Sequence, residues 1–336
     1  MKAWSWTVAI PVALSLAPAA LANDFYQGKT ITVVVATSAG GGYDTNGRLL
    51  ARHIGRFIPG SPTVIVTNMP GASGVKAVNY LYAIAPKDGT TIATFNSAMP
   101  YLERVGSPGV TFKSGELSWI GNLSQSVQTV AVWYKSGVKT LDDAKKKEVV
   151  MGALGDAGTM VQFPRLLNSV FGTKFRVVKG YEGGASVDLA MERGEVEGRG
   201  AGAWYTWKNT HPDWVKEGKI VPIVQIGPKK HPDLPNVPLL GDLAQNDEQH
   251  QMFDLIAGNV VIERPFAAPP HIPADRLEIL RHAFDEMVKD PAFLADAEKI
   301  DTDLDPNSGA ELEKIIARIV ATPQPVVEKV KAAVED

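Results

Sequence analysis

Two glycine-rich segments place backbone donors where proteins commonly bind anions. Segments 38–44 and 68–74 follow the β-branched runs 31–36 and 63–67, and a helical pattern of apolar residues follows each of them. Glycine lets backbone N–H groups converge at a helix N-terminus, where unpaired donors and the helix dipole attract negative charge. The pattern therefore predicts a site that holds an anion through the backbone.

Strand and helix patterns alternate along the chain, which predicts an α/β architecture with largely parallel sheets. A third strand, over residues 90–94, ends at Asn96 and Ser97. Ligands of open α/β sheets bind outside the carboxyl ends of the strands, so the three strand ends predict one binding rim.

A second unit repeats this design from residue 129 onward. Glycine-rich loops at 152–159 and 180–184 each follow a short β-branched strand and precede a helical pattern. Residues from about 269 onward show helical periodicity. The expected molecule has two α/β lobes whose glycine loops face each other.

The chain must cross twice between these lobes. Segment 256–262 is predicted to be a strand that returns the chain to the first lobe. Crossings near 128–134 and 257–267 are expected to form a hinge.

Composition supports this organisation, disfavours nucleic acid as a partner and excludes several classes of protein and site. The chain has 336 residues, 45% of them hydrophobic, which is enough for two domains. A net charge of −3 gives no basic face for nucleic acid. There are no cysteines, which excludes a lipid-anchored lipoprotein, a disulfide scaffold and a thiol nucleophile.

The N-terminus has the features of a cleavable signal peptide over residues 1–22. Lys2 precedes an apolar run, and Ala20 and Ala22 form an A-x-A pattern before Asn23. An uncleaved membrane anchor is the alternative, although prolines within the run disfavour it. We expect a periplasmic protein that is not lipid-anchored.

Enzymatic motifs are absent from the sequence. The glycines at 40–42 lack G-x-G-x-x-G spacing, no G-x-S-x-G elbow occurs, and the G-K-T at 28–30 precedes the first strand. The six histidines are scattered without metal-ligand spacing. We expect neither an enzyme, a cofactor nor a metal site.

Four motifs resemble the solute-binding receptors of the tripartite tricarboxylate transporter family, often called Bug proteins. Gly40-Gly-Gly-Tyr-Asp44 with Arg48 resembles G-G-x-x-D-x-x-A-R, and Asn68-Met-Pro-Gly-Ala-Ser-Gly74 resembles N-x-P-G-A-G-G. Segments 86–91 and 234–238 resemble the P-D-G-x-T turn and the L-P-D-V-P segment of that family. The resemblance extends over essentially the whole chain after the signal peptide.

The resemblance implies a two-lobed periplasmic binding protein of type II-like fold, each lobe with a Rossmann-like, mostly parallel sheet. Residues 23–128 and 262–336 would form lobe 1, and 129–261 lobe 2. Such a receptor closes around a small organic carboxylate and delivers it to integral membrane transporter subunits. We expect a monomer. A ligand sensor that signals to a membrane partner is the alternative function.

The resemblance also implies which residues bind the ligand. In lobe 1 the residues implied to hold one carboxylate are Ala39, Gly41, Gly42, Asn68, Gly71, Ala72 and Ser73. The ends of the three strands add Gly40, Tyr43, Asp44, Asn96 and Ser97 to the predicted ligand-binding residues. Asp44 would repel an anionic ligand, so we expect it to cap the following helix, or alternatively to meet a ligand hydroxyl or amine.

Lobe 2 departs from the family pattern. We expect Thr159, Gln162 and Tyr181 to bind the ligand from this lobe. The first loop has one extra residue before Thr159, Gln162 stands where the family has a histidine, and Glu182 replaces a lysine in the turn that keeps Tyr181. Arg199 is the candidate for gripping a second acidic group, with a salt bridge to Glu197 or Glu182 as the alternative.

Three aromatic residues follow Arg199 closely, at 204, 205 and 207. Aromatic rings beside a cleft can stack on an aromatic acid, so a receptor for such an acid is a further alternative. Residues this close on a helix cannot all face one way, and at least one is expected to be in the core.

Overall fold

A computed structural model of the protein describes residues 25–154, 158–300, 302 and 304–335. The predicted signal peptide and residues 155–157 of the first lobe 2 loop lie outside these ranges. The strands of the described residues are β1 (Thr30–Val35), β2 (Thr63–Asn68), β3 (Thr91–Thr94), β4 (Ser118–Asn122), β5 (Gln128–Trp133), β6 (Val149–Gly152), β7 (Phe175–Val178), β8 (Gly198–Ala203), β9 (Ile220–Ile226), β10 (Pro265–Ala268) and β11 (Asn307–Ser308).

The α-helices of the same residues flank these strands. They are α1 (Gly42–His53), α2 (Val75–Ala83), α3 (Met99–Arg104), α4 (Leu141–Lys146), α5 (Thr159–Phe171), α6 (Gly184–Arg193), α7 (Trp204–Thr210), α8 (Pro212–Lys216), α9 (Asp247–Val261), α10 (Ala274–Met287), α11 (Pro291–Lys299), α12 (Gly309–Val320) and α13 (Gln324–Glu335). Within the described part of the chain, no helix is long and apolar enough to cross a membrane.

The described residues form two mixed sheets, whose strand orders correspond. The first runs β11-β4-β10-β3-β1-β2 and the second β7-β6-β8-β5-β9. In each sheet three parallel strands are followed by one strand that is antiparallel to both of its neighbours, β10 in the first and β5 in the second. The predicted two-lobed α/β fold is confirmed, but the sheets are mixed rather than mostly parallel, because β10 and β5 each pair antiparallel on both sides.

Both antiparallel strands adjoin the segments that connect the two sheets. β5 follows β4 after a short link, and β10 carries the chain back into the first sheet. Asn122 fixes this region, since its side chain is fully buried, accepts from Arg264 N at 2.8 Å and donates to Ser124 O at 2.6 Å.

The prediction of a strand over 256–262 is wrong, because α9 continues through Val261. Asn246 caps this helix by accepting from Gln249 N at 2.9 Å. Buried Phe253, Ile256 and Val260 follow helical spacing and belong to one core cluster. The β-branched residues at 260–262 are typical of a strand, but they are buried in the core at the end of a capped helix.

β1 is buried on both faces, because its successive side chains point alternately into two different core clusters. Val34 belongs to the core cluster that contains α2, and Val33 and Val35 belong to the cluster that contains α1. Helices on both faces explain the nearly continuous apolar sequence of this strand. At the other end of the chain, α13 packs against α5, and Arg165 Nη1 donates to Val334 O at 2.7 Å.

Candidate ligand-binding cleft

The parallel strands of each sheet end together and so form a rim. In the first sheet, Val35 pairs with both Asn68 and Thr94, which are the last residues of β2 and β3. In the second, Gly152 pairs with Val178 at the ends of β6 and β7. The short link between β4 and β5 joins these edges, so the two rims border one cleft.

The first loop presents exposed glycine backbone to this cleft. Gly40 has a φ of +88°, a conformation that a residue with a side chain rarely adopts. Gly41 is the N-cap of α1 in an extended conformation, with a φ of −85°. Because the first N–H groups of a helix have no partner within it, this loop offers donors to an anion.

Asp44 holds the loop in this shape. Its carboxylate accepts from Gly40 N at 2.9 Å, from Arg48 Nε at 2.9 Å and from Asn68 Nδ2 at 2.8 Å. The hydrogen bond from Arg48 is the largest cause that lowers the pKa of Asp44 to about 2. The carboxylate is thus ionised and neutralised within the loop.

The expectation that Asp44 caps α1 is wrong in position. Gly41 occupies the N-cap and makes no side-chain cap, whereas Asp44 is the third residue of the helix, within its first turn, and reaches back to Gly40. Its carboxylate therefore stabilises the loop that precedes α1 but does not cap the helix.

Asn68 ties the second loop to the first. Its Nδ2 donates to Asp44 and also to Thr37 O at 2.9 Å, and its Oδ1 accepts from Arg48 Nη2 at 3.1 Å. The predicted site residue Asn68 thus uses both ends of its amide to position the two loops.

The second loop has four consecutive residues with positive φ, and the two that are not glycine are strained. The four are Gly71, Ala72, Ser73 and Gly74, at 144°, 46°, 53° and 100°. The left-handed conformation costs about 1–2 kcal/mol at each residue with a side chain. Strain of this kind clusters at ligand sites, and Ala72 and Ser73 are exposed at the rim.

The third strand end supports the first loop. Ser97 N donates to the Tyr43 hydroxyl at 3.3 Å, and Asn96 Oδ1 accepts from Ala98 N at 2.8 Å. Burial raises the pKa of Tyr43, so its hydroxyl stays protonated. The predicted residues of lobe 1 are therefore brought together at one edge of the sheet.

A cavity of about 270 Å³ lies between the start of α1 and the start of α7, and of the ligand-binding residues predicted from the sequence Gly42 alone lines it. From lobe 1 it is lined by the start of α1 and by the residue pair before β10, and from lobe 2 by the start of α7. Its lining includes Gly42, Thr45, Ser124, Ala203, Tyr205, Thr206, Glu263 and Arg264.

Comparison with known proteins agrees with this geometry. Residues 59–332 match the model of the tripartite tricarboxylate transporter family receptor. The chain belongs to this receptor family. It is a family of solute-binding receptors and not of enzymes, as the sequence motifs predicted.

Individual relatives of this receptor share its length and fold. It is 26% identical to the UPF0065 protein in the gbd 5' region of Cupriavidus necator, over 97% of this chain and 95% of the relative. A TctC solute-binding protein from Polaromonas superposes with a TM-score of 0.71 at 20% identity, over 90% and 99% of the two chains. The structure of R. palustris Rpa4515 with adipate superposes with a TM-score of 0.58 at 17% identity, over 91% of this chain and 97% of that one.

In lobe 2 of the receptor, the predicted residues are divided between the rim and the interior. Thr159 is the first residue of α5 and is half-buried, whereas Gln162 is buried in the same helix. Tyr181 follows β7, and its ring packs near Gly152. Thr159 and Tyr181 are thus both half-buried at the rim, whereas Gln162 is interior.

Arg199 is buried and ion-paired. Its Nη1 donates to both carboxylate oxygens of Asp188, at 2.9 and 3.1 Å, and its Nε donates to Ala201 O at 2.8 Å. His211 Nε2 also contacts Asp188, at 3.2 Å. The salt bridge that the sequence suggested exists, but its partner is Asp188 rather than Glu182 or Glu197.

The aromatic cluster divides as helical geometry requires. Trp204 and Trp207 are buried, and their indole N–H groups donate to Asp233 and Thr129 at 3.1 Å each. Tyr205 lines the cavity. A single ring of the three is thus placed to touch a ligand there.

Sequence reasoning missed Glu263 and Arg264. Both lie where the chain returns to the first sheet, in a segment interpreted as hinge. The available signal was an adjacent acid and base directly before Pro265, at the amino end of a buried strand.

Proposed function

We propose that this receptor is periplasmic, closes around a small organic carboxylate and delivers it to the membrane subunits of a tripartite tricarboxylate-type transporter. The observation that carries the proposal is the cavity that lies between the starts of α1, in lobe 1, and α7, in lobe 2. A helix N-terminus beside exposed glycine backbone favours an anion.

The loop contacts give the proposal its chemical basis. An anion at the first rim meets backbone donors at 41–43, because Gly40 N already donates to Asp44, whose carboxylate is neutralised by Arg48. We propose that Gly41, Gly42 and Ser73 contact the ligand, and that Asp44 and Asn68 position them. Because the charge of Arg199 is balanced by Asp188, we propose that Arg199 positions the lobe 2 loops rather than contacting the ligand.

The size of the cavity favours a small ligand. A volume of about 270 Å³ is just below the range of about 300–1,000 Å³ that is usual for small-molecule sites, and Ser124 and Thr206 are among the polar residues that line it. Adipate, which the structure of a relative with the same fold contains, is an acid of this class. We therefore propose aliphatic organic acids as the ligand class.

A thermal-shift screen of the purified protein tests this proposal. Aliphatic diacids, hydroxy acids, aromatic acids and neutral sugars are compared, each at several concentrations. A ligand at about a hundred times its Kd stabilises by about 2.7 kcal/mol, which raises Tm visibly. Stabilisation by one acid class supports the proposal; a response only to neutral sugars, or to none of the compounds, contradicts it.

Location and delivery need separate experiments. Expression of the full chain followed by mass spectrometry of the periplasmic fraction should give a protein that begins at Asn23. Deleting the gene should abolish uptake of the labelled acid identified by the screen. Undiminished uptake in the deletion strain would contradict the delivery role.

A further inference from the structure

Arg264 extends the cavity wall formed by the start of α1. A Cβ built on Gly42 would lie 3.2 Å from Arg264 Nη2, and the guanidinium carbon is 4.8 Å from the centre of the Tyr43 ring. A cation and the positive end of a helix dipole thus share one location. Their combined field favours an anion between them.

The anion that Arg264 contacts in this structure is its own neighbour. Glu263 Oε1 lies 2.5 Å from Arg264 Nη1, and the same nitrogen donates to Glu263 O at 2.8 Å. Both contacts use Nη1, whereas the edge formed by Nη2 and Nε is nearest Gly42. Arg264 therefore has a second donor edge directed toward the start of α1.

The backbone of this pair is fixed, whereas its side chains border the cavity. Arg264 N donates to Asn122 Oδ1 at 2.8 Å, and Arg264 O accepts from Leu123 N at 3.1 Å. The side chains of Arg264 and Glu263 remain 23% and 27% exposed. A ligand can thus exchange with Glu263 without moving the main chain.

The opposite wall belongs to lobe 2. Tyr205 and Thr206, at the start of α7, line the same cavity as Arg264. An acid bound here contacts both lobes, so binding favours the closed arrangement.

We propose that Arg264 binds a second carboxylate of the ligand and that Glu263 is the internal counter-ion which this carboxylate replaces. This inference rests on the proposed function and makes the pair a determinant of specificity for diacids. A carboxylate ligand gains the fork-shaped donors of arginine, whereas a neutral group cannot displace Glu263.

Calorimetric titration with C4 to C6 aliphatic diacids and the monoacids of equal length tests the proposal. Arg264→Gln should weaken diacid binding by about 30-fold, the range expected for a lost charge-assisted hydrogen bond, and monoacid binding by less than about threefold. Arg264→Lys keeps the charge but not the paired donors of the guanidinium, so its affinity for diacids should lie between those of the wild type and Arg264→Gln. Glu263→Gln removes the competing carboxylate and should tighten diacid binding by about three- to tenfold.

Arg176 and Glu148 provide a matched control. They form an exposed ion pair at 2.9 Å that does not border the cavity. Arg176→Gln and Glu148→Gln should leave both affinities unchanged, and melting curves verify that every variant is folded.

The outcomes separate this inference from the proposed function. Equal losses for diacids and monoacids in Arg264→Gln, or weaker diacid binding in Glu263→Gln, overturn the inference while acid binding itself stands. Binding of monoacids but of no diacid also overturns only the inference. If the wild-type protein binds no acid at all, both proposals fail.

Discussion

An arginine lies against the start of a helix in each lobe, but the two arginines are balanced differently. In lobe 2, a Cβ on Gly184 would lie 2.7 Å from Arg199 Nη2, and in lobe 1 the corresponding distance from Gly42 to Arg264 Nη2 is 3.2 Å. Gly184 and Gly42 are the first residues of α6 and α1. The two rims thus repeat one arrangement.

The counter-ions of the two arginines differ in burial. Asp188 is buried, accepts two hydrogen bonds from Arg199 and also contacts His211. Glu263 lies beside the cavity, where a ligand can replace it. The comparison teaches that an arginine at a helix N-terminus is a ligand-binding group only if its counter-ion can be exchanged.

Breaking the ion pair of lobe 2 should have the largest effect on stability. Asp188→Ala leaves the buried Arg199 charge without its partner and should lower the free energy of unfolding by about 3–5 kcal/mol. Urea denaturation followed by circular dichroism measures the change.

The double variant Asp188→Leu with Arg199→Met is the control, because it replaces both charges with apolar groups. It should recover most of the lost stability. Titration of this folded double variant with the acid also tests Arg199 directly. A large loss of affinity would show that Arg199 binds the ligand and that the two lobes are more alike than we infer.

The two helix N-caps offer a second way to break the comparison. Gly41→Val should weaken acid binding by at least about 100-fold, or about 2.7 kcal/mol, because its side chain covers the donors of α1. The protein should remain folded, since Gly41 has a φ of −85° and the nearest atom to a Cβ there is Ser38 O at 4.0 Å.

Gly183→Val is the matched control for this prediction. Gly183 is the N-cap of α6, has extended backbone, and a Cβ there would have open space. Because Arg199 already covers the start of that helix, this variant should change affinity by less than about threefold. Equal losses in both variants would mean that the rims bind the ligand equally.

These two regions also show what the sequence could predict. The loops at 38–44 and 68–74 were predictable because glycine and β-branched residues act over a few positions, and the lobe 1 site residues indeed meet at one rim. The counter-ion of Arg199 was not predictable, since Glu197 is nearer to it in sequence than Asp188 and Glu182 is only six residues farther than Asp188. Arg264 was missed because its neighbour Gly42 is distant in the chain. Distant packing contacts also explain α9: the conformation of its β-branched C-terminal residues is set by packing rather than by local strand preference.

Acid titration should reveal the network that fixes the lobe 1 loops. The pKa of Asp44 is lowered from 3.8 to about 2, so its ionised form stabilises the folded protein above about pH 4. This contribution, about 2 kcal/mol, is lost as the pH falls toward 2. Urea denaturation at pH 5, 3 and 2 should show a smaller decrease in Asp44→Asn than in wild type. Parallel decreases in the two proteins would contradict the role of Asp44.

Tyr205 should produce the smallest effect, and it separates aliphatic from aromatic ligands. It is the member of the aromatic cluster that lines the cavity, while Trp204 and Trp207 are held in the core. For an aliphatic acid, Tyr205→Leu should change affinity by less than about threefold, because no ring stacking is lost. An aromatic acid would lose about 0.5–1.5 kcal/mol in the same variant and much less in Tyr205→Phe, which keeps the ring. Calorimetry with both acid classes therefore decides whether lobe 2 contributes a stacking surface or only closes the wall that faces Arg264.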